Sequence, residues 1–455
     1  MKKQKTLFVS RVANLSKETI LIHTSLPYTK IILLYDGKKD AEKIKIPSKL
    51  EIIPYKNLTI LSREINKIYE QHTDYLILPN FWGDAFSKYA IKMYDKTYGS
   101  KIDPKIFKEK DVMMRFVGQV WEKNYLRTSY KDLVHTSYAD IENKIWQTFI
   151  VKPTNASSSR CTFKVTSQED FESIKTKISR VFDYMVEEYI EWELYSVDVF
   201  MDGEDMFLLT YAREIAMIEL ADKKKFSPKF LEKYGEEIDK HFNFILPIAY
   251  HIDFSFLSKM ETSLLEELRQ KLEEIKYRGV IHLEYKYDKK AKKIWFLEWG
   301  GRYGGYRKTF VKEIYNTDHL RIPYYLLVEN DRSRFTPLKW KIYSFKEQEY
   351  NLNFVRMKTN FLETINYIDI LKKTGNIFEV SFQKFLKDYY RENFGIKIKK
   401  IDFFVKYSKG YNFFPFYKDA STKLDYILEL DDENFELFKK KKFKIIEKTF
   451  FHDYK

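Results

Sequence analysis

Two acidic residues stand out for their setting: Glu284 in Ile281-His282-Leu283-Glu284-Tyr285 and Glu298 in Ile294-Trp295-Phe296-Leu297-Glu298. Each is a lone carboxylate in an apolar or aromatic run that reads as a strand. The charged, turn-compatible Asp288-Lys289-Lys290 lies between them, so a hairpin sets the strands antiparallel with both carboxylates on one face. Carboxylates that close repel unless a cation intervenes, and hard oxygen donors suit Mg²⁺ bridging phosphates. Gly300-Gly301, Arg302 and Gly304-Gly305 follow directly. Such glycines let backbone approach a charged ligand while the guanidinium grips it. The plain alternative, two solvated acids on a polar strand face, stays open at this point.

The elements that must position these groups lie upstream. Phe149-Ile150-Val151-Lys152-Pro153 reads as a strand with a lysine among apolar residues. It runs into Thr154-Asn155-Ala156-Ser157-Ser158-Ser159-Arg160, a stretch of small hydroxyl residues rich in donors. Such a stretch can fold over phosphates, and a following strand over 161–165 makes it a hairpin lid; a serine-rich turn is the alternative. Next come a strand over 184–190 leading to Glu191-Trp192-Glu193, an alternating strand over 195–200, a turn at Asp202-Gly203 and a return through MFLLTYAREIA. A helix over 264–275 then delivers the chain to the hairpin.

Before all of these, 31–36 and 75–79 are apolar runs ending in Gly, Asp, Pro or Asn, as in buried parallel strands with ligand-facing loops. Leu61, Ile65, Ile68 and Tyr69 between them share a helix face, which predicts a small α/β domain over 1–100. It carries neither Gly-x-Gly-x-x-Gly nor Gly-Lys-Ser/Thr, so dinucleotide and P-loop binding are not indicated. From 103 onward the pattern turns helical, with Val112, Phe116 and Val120 on one face.

Composition narrows the classes. A chain of 455 residues holds about three domains. The single cysteine, Cys161, excludes a disulfide framework and a thiolate metal cluster, and reads as packing before nucleophile. The eight histidines show no pair at metal-ligand spacing; His282 reads as a wall of the site or a satisfied core residue. No apolar run approaches the ~18 residues of a membrane span, and the basic start is too short in apolar residues for a signal peptide, so a reducing cytoplasm is expected. Net charge is +14, but residues 331–455 hold 26 Lys+Arg against 18 Asp+Glu. A run such as Lys439-Lys440-Lys441-Lys442 is more often a solvated face than a binding site, which argues against nucleic acid as the partner.

The order of these parts resembles the ATP-grasp superfamily over roughly residues 20–330. The resemblance implies a mixed α+β and α/β chain. An N-terminal Rossmann-like α/β pre-ATP-grasp domain (1–100) precedes an ATP-grasp domain of two α+β subdomains with ATP between them (101–330), and an extra C-terminal α+β segment follows (331–455). It implies that Lys110, or Lys108 beside it, and Lys152 contact ATP, with Ser157, Ser158 and Ser159 in the phosphate loop. Glu187, Glu188 and Ile190 fall in the adenine-reading linker, Glu193 at the ribose hydroxyls, and Arg213 at a further phosphate contact. Glu284 and Glu298 match the metal-binding carboxylates and Arg302 the arginine that steadies phosphate and intermediate. The family's Glu-x-Asn-x-Arg stands here as Glu298-Trp299-Gly300-Gly301-Arg302, which removes one Mg²⁺ ligand.

The activity so implied is ADP-forming ligation of a small-molecule carboxylate to an amine through an acylphosphate. The amine could be an amino acid, amino sugar or peptide, and Mg²⁺, or Mn²⁺ in its place, is the metal. Arg307 is a candidate for the substrate carboxylate, with a surface arginine as the alternative, and Trp299 for a shield of the metal or a core residue. An ATP-binding regulatory protein of the same fold is the second reading, favoured by Gly300. An RNA-associated protein led by the basic tail is a third. Three roles are open to 331–455: capping the site, selecting substrate, or forming a homo-oligomer contact.

Overall fold

A computed structural model describes residues 5–11, 26, 29–35, 50–54, 58–72, 74–80, 106, 109–117, 125–142, 148–154, 162–178, 183–216, 228–229, 231–232, 247–254, 257–304, 307–335, 341–348, 376–407 and 422–450. Two compact units are present: Met1–Asn124 with Tyr195–Tyr211 and Ser255–Trp340, and Tyr125–Leu194 with Ala212–Phe254 and Lys341–Lys455.

In chain order, β1 (Thr6–Arg11), β2 (Thr29–Tyr35), β3 (Leu50–Pro54), helix α1 (Leu58–Gln71) and β4 (Leu76–Asn80) come first. The four strands pair in parallel in the order β3-β2-β1-β4. Consecutive buried residues, Leu7-Phe8-Val9, Ile31-Ile32 and Ile77-Leu78, follow from a parallel sheet covered on both faces. Helix α2 (Lys110–Val117) buries Met113, Met114 and Val117 at helical spacing. The expected face through Val112 and Phe116 is only half-buried, and Val120 lies outside the described residues.

Then come β5 (Tyr125–Thr128), α3 (Tyr130–His135), α4 (Tyr138–Glu142), β6 (Phe149–Pro153), β7 (Phe163–Val165), α5 (Gln168–Lys177) and β8 (Tyr184–Glu188). The strands form an antiparallel sheet, β5-β8-β6-β7. Phe149, Val151, Phe163, Phe171 and Tyr184 fill the core beneath it.

The chain continues through β9 (Glu193–Met201), β10 (Met206–Ala216), β11 (Pro247–Asp253), α6 (Lys259–Glu274), β12 (Gly279–Asp288), β13 (Lys293–Gly300) and α7 (Arg307–Tyr315). In the first unit β13, β12, β9 and the start of β10 lie side by side. Helix α6 starts five residues before the expected 264, because Ser258 and Glu261 form a capping box. Glu261 is fully buried and also accepts from the hydroxyls of Tyr211 (2.8 Å) and Tyr285 (2.6 Å), whose rings flank Tyr195. The helix is thereby pinned to the strands that carry the hairpin.

In the second unit β14 (Lys341–Gln348), α8 (Asn376–Phe394), β15 (Lys400–Tyr407), β16 (Thr422–Glu429) and α9 (Asp432–Phe450) complete the chain. The strands extend antiparallel from β11 in the order β11-β14-β16-β15. The strand expected over 396–407 begins only at Lys400 and the one expected over 424–430 is observed at Thr422–Glu429, whereas a third expected over 411–417 lies outside the described residues. Lys441, from the basic run, donates to the Phe394 carbonyl at 2.7 Å beside Gly395, whose φ of 68° ends α8. Part of the basic run is therefore a helix cap. No helix among the described residues is long and apolar enough to cross a membrane.

Candidate active site

Hairpin β12–β13 carries the two carboxylates in directly opposed register, Glu284↔Glu298. Its turn closes on Asp288, whose Oδ1 accepts from the backbone N–H of Lys290 (2.8 Å) and Ala291 (3.0 Å). Pairing shifts by one between Glu284 and Tyr285, because Phe296 rather than Leu297 faces Tyr285. Leu297 is the extra residue of a β-bulge. It lets Phe296 and Trp299, three apart, both be buried and meet edge to face at 5.9 Å. Strict alternation would turn one of them to the other face.

Like charges directly opposed across a hairpin destabilise it. Here each has a cationic or hydrogen-donating neighbour. Lys110 Nζ is 2.8 Å from Glu298 Oε2, and His282 Nε2 is 3.0 Å from Glu284 Oε1. Trp299 helps place Lys110, since its ring packs on Phe116 of α2 at 5.6 Å and its Nε1–H donates to the Ile106 carbonyl at 2.6 Å. Trp299 is thus a core residue. The hairpin was expected from the sequence, but the Lys110–Glu298 pair was not.

Behind Glu284 lies a buried polar network that sequence reasoning missed. His282 Nδ1 is 3.1 Å from Asp198 Oδ1 on β9, which also accepts the Gly304 N–H at 2.8 Å. Asp198 Oδ2 accepts from Thr210 Oγ1 and lies 3.4 Å from Arg307 Nε. The partners of His282 are both carboxylates, so both ring nitrogens donate. Burial opposes its charge, but Asp198 and then Glu284 outweigh burial and raise its pKa to about 9. For Asp198 burial raises the pKa, yet His282, Arg307 and Thr210 together hold it below the ordinary carboxylate value.

Two expectations are corrected here. Arg307 is neither a substrate arginine nor a surface residue: it is fully buried, faces Asp198 and donates to Ser196 Oγ. Gly304 serves a side chain rather than a ligand. A Cβ there would stand 2.3 Å from His282 Cε1 and 2.9 Å from Arg307 Cγ. Gly300 differs, because a Cβ there would meet only Arg302, at 3.6 Å. Arg302 is half-buried and donates to the Tyr303 carbonyl at 3.0 Å.

In the second unit Lys152 and Glu187, on the paired strands β6 and β8, form a buried ion pair at 2.6 Å. Glu188 is exposed and Ile190 buried. Arg213 Nε on β10 is 3.4 Å from Glu193 Oε1 at the start of β9. Lys152 and Glu187 are thus brought together, as are Glu193 and Arg213. Ser157, Ser158 and Ser159 lie outside the described residues, as do Cys161, Lys108 and Gly305.

The L-amino acid ligase from Bacillus licheniformis superposes over 97% of this chain and 97% of its own, with TM-score 0.61 at 12% identity. An ADP complex of N5-carboxyaminoimidazole ribonucleotide synthetase gives 99% and 100% coverage, TM-score 0.62 and 10% identity. The chain has the ATP-grasp fold. A third ATP-grasp structure, the biotin carboxylase domain of the Hydrogenobacter thermophilus 2-oxoglutarate carboxylase with MgADP and bicarbonate, covers 94% of this chain and 86% of its own, with TM-score 0.54 and 13% identity. No protein-family model matches the sequence, and no curated protein does.

Proposed function

We propose that the protein is an ATP-dependent ligase that joins a small-molecule carboxylate to an amine, releasing ADP and phosphate. The observation that carries this reading is the Glu284–Glu298 pair, in opposed register on an ATP-grasp hairpin with Lys110 at one carboxylate. The donor set is two hard carboxylates, each more than a quarter exposed, which fits Mg²⁺. When bound, Mg²⁺ neutralises phosphate charge during phosphoryl transfer.

The chain's own residues supply positioning and charge. Lys152 and Arg302 stabilise the transferring phosphoryl group, with Lys110 and Arg213 as further phosphate contacts. The Lys152–Glu187 pair presets the lysine, so its rotamer need not be ordered when ATP arrives. Glu188, Ile190 and Glu187 line the adenine, and Glu193 takes the ribose hydroxyls. Shielding the phosphates from water, which an acylphosphate needs, is the role this reading gives to Ser157, Ser158 and Ser159.

The solved ATP-grasp structures include an L-amino acid ligase, which favours an amino acid or peptide among the acceptors. A second reading, an ATP-binding protein without ligase chemistry, has Gly300 in its favour, since glycine offers no side-chain donor where the family places asparagine. ADP release with Mg²⁺ATP, measured across pools of amino acids, amino sugars and peptides, separates the two. Turnover in one pool supports the ligase. ATP binding without turnover in any pool favours the second reading, and no ATP binding refutes both.

A further inference from the structure

Glu284 is joined, through His282, to a fully buried carboxylate on a different strand. Asp198 is held by four groups: the Gly304 N–H, Thr210 Oγ1, the Arg307 guanidinium and His282 Nδ1. His282 is 6% exposed, and its ring is wedged on its other side by Gly304, where even a methyl group would collide with it. Its plane and both nitrogens are therefore fixed by the fold, and Nε2 presents a hydrogen to Glu284 Oε1 at 3.0 Å.

We propose that His282 is a positioning residue: braced at Nδ1 by Asp198, it fixes Glu284 Oε1 and so leaves Oε2 as a preset donor for the divalent cation that accompanies the nucleotide. A free glutamate samples several rotamers, and ordering it on binding costs side-chain entropy. A carboxylate already held by a rigid donor avoids that cost, which is how outer partners raise metal affinity. The inference rests on the nucleotide-and-cation reading of the hairpin. It adds that cation affinity depends on the Asp198–His282–Glu284 chain.

Two substitutions divide the imidazole's contacts. An asparagine amide ends as many bonds from Cα as Nδ1 and can serve Asp198 only; a glutamine amide ends as many bonds out as Nε2 and can serve Glu284 only. The full chain is titrated with Mn²⁺ in the presence of ADP, free Mn²⁺ is read by electron paramagnetic resonance, and thermal unfolding of each variant is recorded without metal. We expect His282→Asn to weaken Mn²⁺ADP binding about 10–100-fold, the range for a lost outer partner, and His282→Gln, which keeps a donor for Glu284 but gives up the Asp198 brace, to weaken it by less than about tenfold. Thermal stability should rank the other way, because glutamine abandons buried Asp198.

A merely structural histidine makes both rankings follow stability, and that result overturns the proposal, as do equal Mn²⁺ affinities in all three proteins. If the asparagine variant does not fold, the folded glutamine variant decides alone, and a tenfold loss in it overturns the proposal. If wild type itself binds ADP but no Mn²⁺, the proposal fails while the nucleotide site stands. If wild type binds neither, the functional reading fails with it.

Discussion

Gly304→Ala is the sharpest test of how this unit is packed. The added Cβ would lie 2.3 Å from Cε1 and 2.4 Å from Nδ1 of His282, and 2.9 Å from Arg307 Cγ. Comfortable carbon contacts are about 3.5–4.0 Å, so the ring must retreat by more than about 1 Å. A displacement of that size breaks the bonds to Asp198 (3.1 Å) and Glu284 (3.0 Å) or drives the backbone N–H of residue 304 off Asp198. Overpacking a core costs about 1–3 kcal/mol, and a buried polar group left without its partner about 1–3 kcal/mol more, so the loss should be about 2–6 kcal/mol. The assay is urea unfolding of the full chain, with Gly300→Ala as the control, since its Cβ meets only Arg302 Cγ at 3.6 Å. The control should move stability by less than about 1 kcal/mol. Because His282 is the colliding partner, the Gly304→Ala/His282→Ala double variant should lose less than the sum of the singles. A Gly304→Ala loss below about 1 kcal/mol, or strict additivity, would refute the reasoning.

Other outcomes follow from the same geometry. In metal-free protein the raised pKa of His282, about 9 against an ordinary 6.5, makes its contribution full below about pH 6.5 and lost as pH rises through about 9; the upper bound is about 3 kcal/mol. Denaturant unfolding across that window should therefore show stability falling in wild type and a flatter profile in His282→Asn. Glu298→Gln should abolish ADP formation while leaving circular dichroism unchanged, and undiminished turnover would mean the metal pair is misplaced. Lys152→Ala should weaken ATP binding and also cost about 3–5 kcal/mol, because Glu187 would be left charged and buried. Lys152→Met/Glu187→Leu should restore stability without restoring ATP affinity, read by calorimetry.

What the sequence disclosed depended on how local each signal is. Strand β6 is bounded as expected because its apolar run and terminal proline are contiguous. The β12–β13 hairpin was equally plain, since its alternation and turn residues lie within one stretch. The α6 start was legible in Ser258-Lys259-Met260-Glu261, a capping signature that precedes the apolar periodicity used to place the helix. By contrast, Asp198 and Ser196, which face His282 and Arg307, sit on β9, far back in the chain, and no spacing rule links them to 282 or 307. The glycines were legible as close approaches but not as approaches to what. Beyond 331, strands β15 and β16 were anticipated in part, whereas α8 and α9 were not, although Leu386, Tyr389, Tyr390 and Phe394 of α8 and Phe435, Phe438 and Ile445 of α9 are buried at helical spacing. Among the described residues, the candidate site was readable as residue types and as the Glu284–Glu298 pair, and unreadable in its ion pairs.

The bulge at Leu297 makes the hairpin sensitive to counting. A strand reverses its faces with every residue, so the single extra residue converts odd parity to even between Phe296 and Trp299. Deleting Leu297 would restore a regular ladder and leave Phe296 and Trp299, then two residues apart, on one face. Single-residue insertions should be tolerated in the exposed turn at 290–292, where nothing beyond depends on parity. A residue inserted between 296 and 299 has no regular position left and should drive one of the two rings off the core. Length variation in this hairpin would therefore be confined to the turn and to loss of residue 297, and a library of one-residue indels would reveal the phase of the strand.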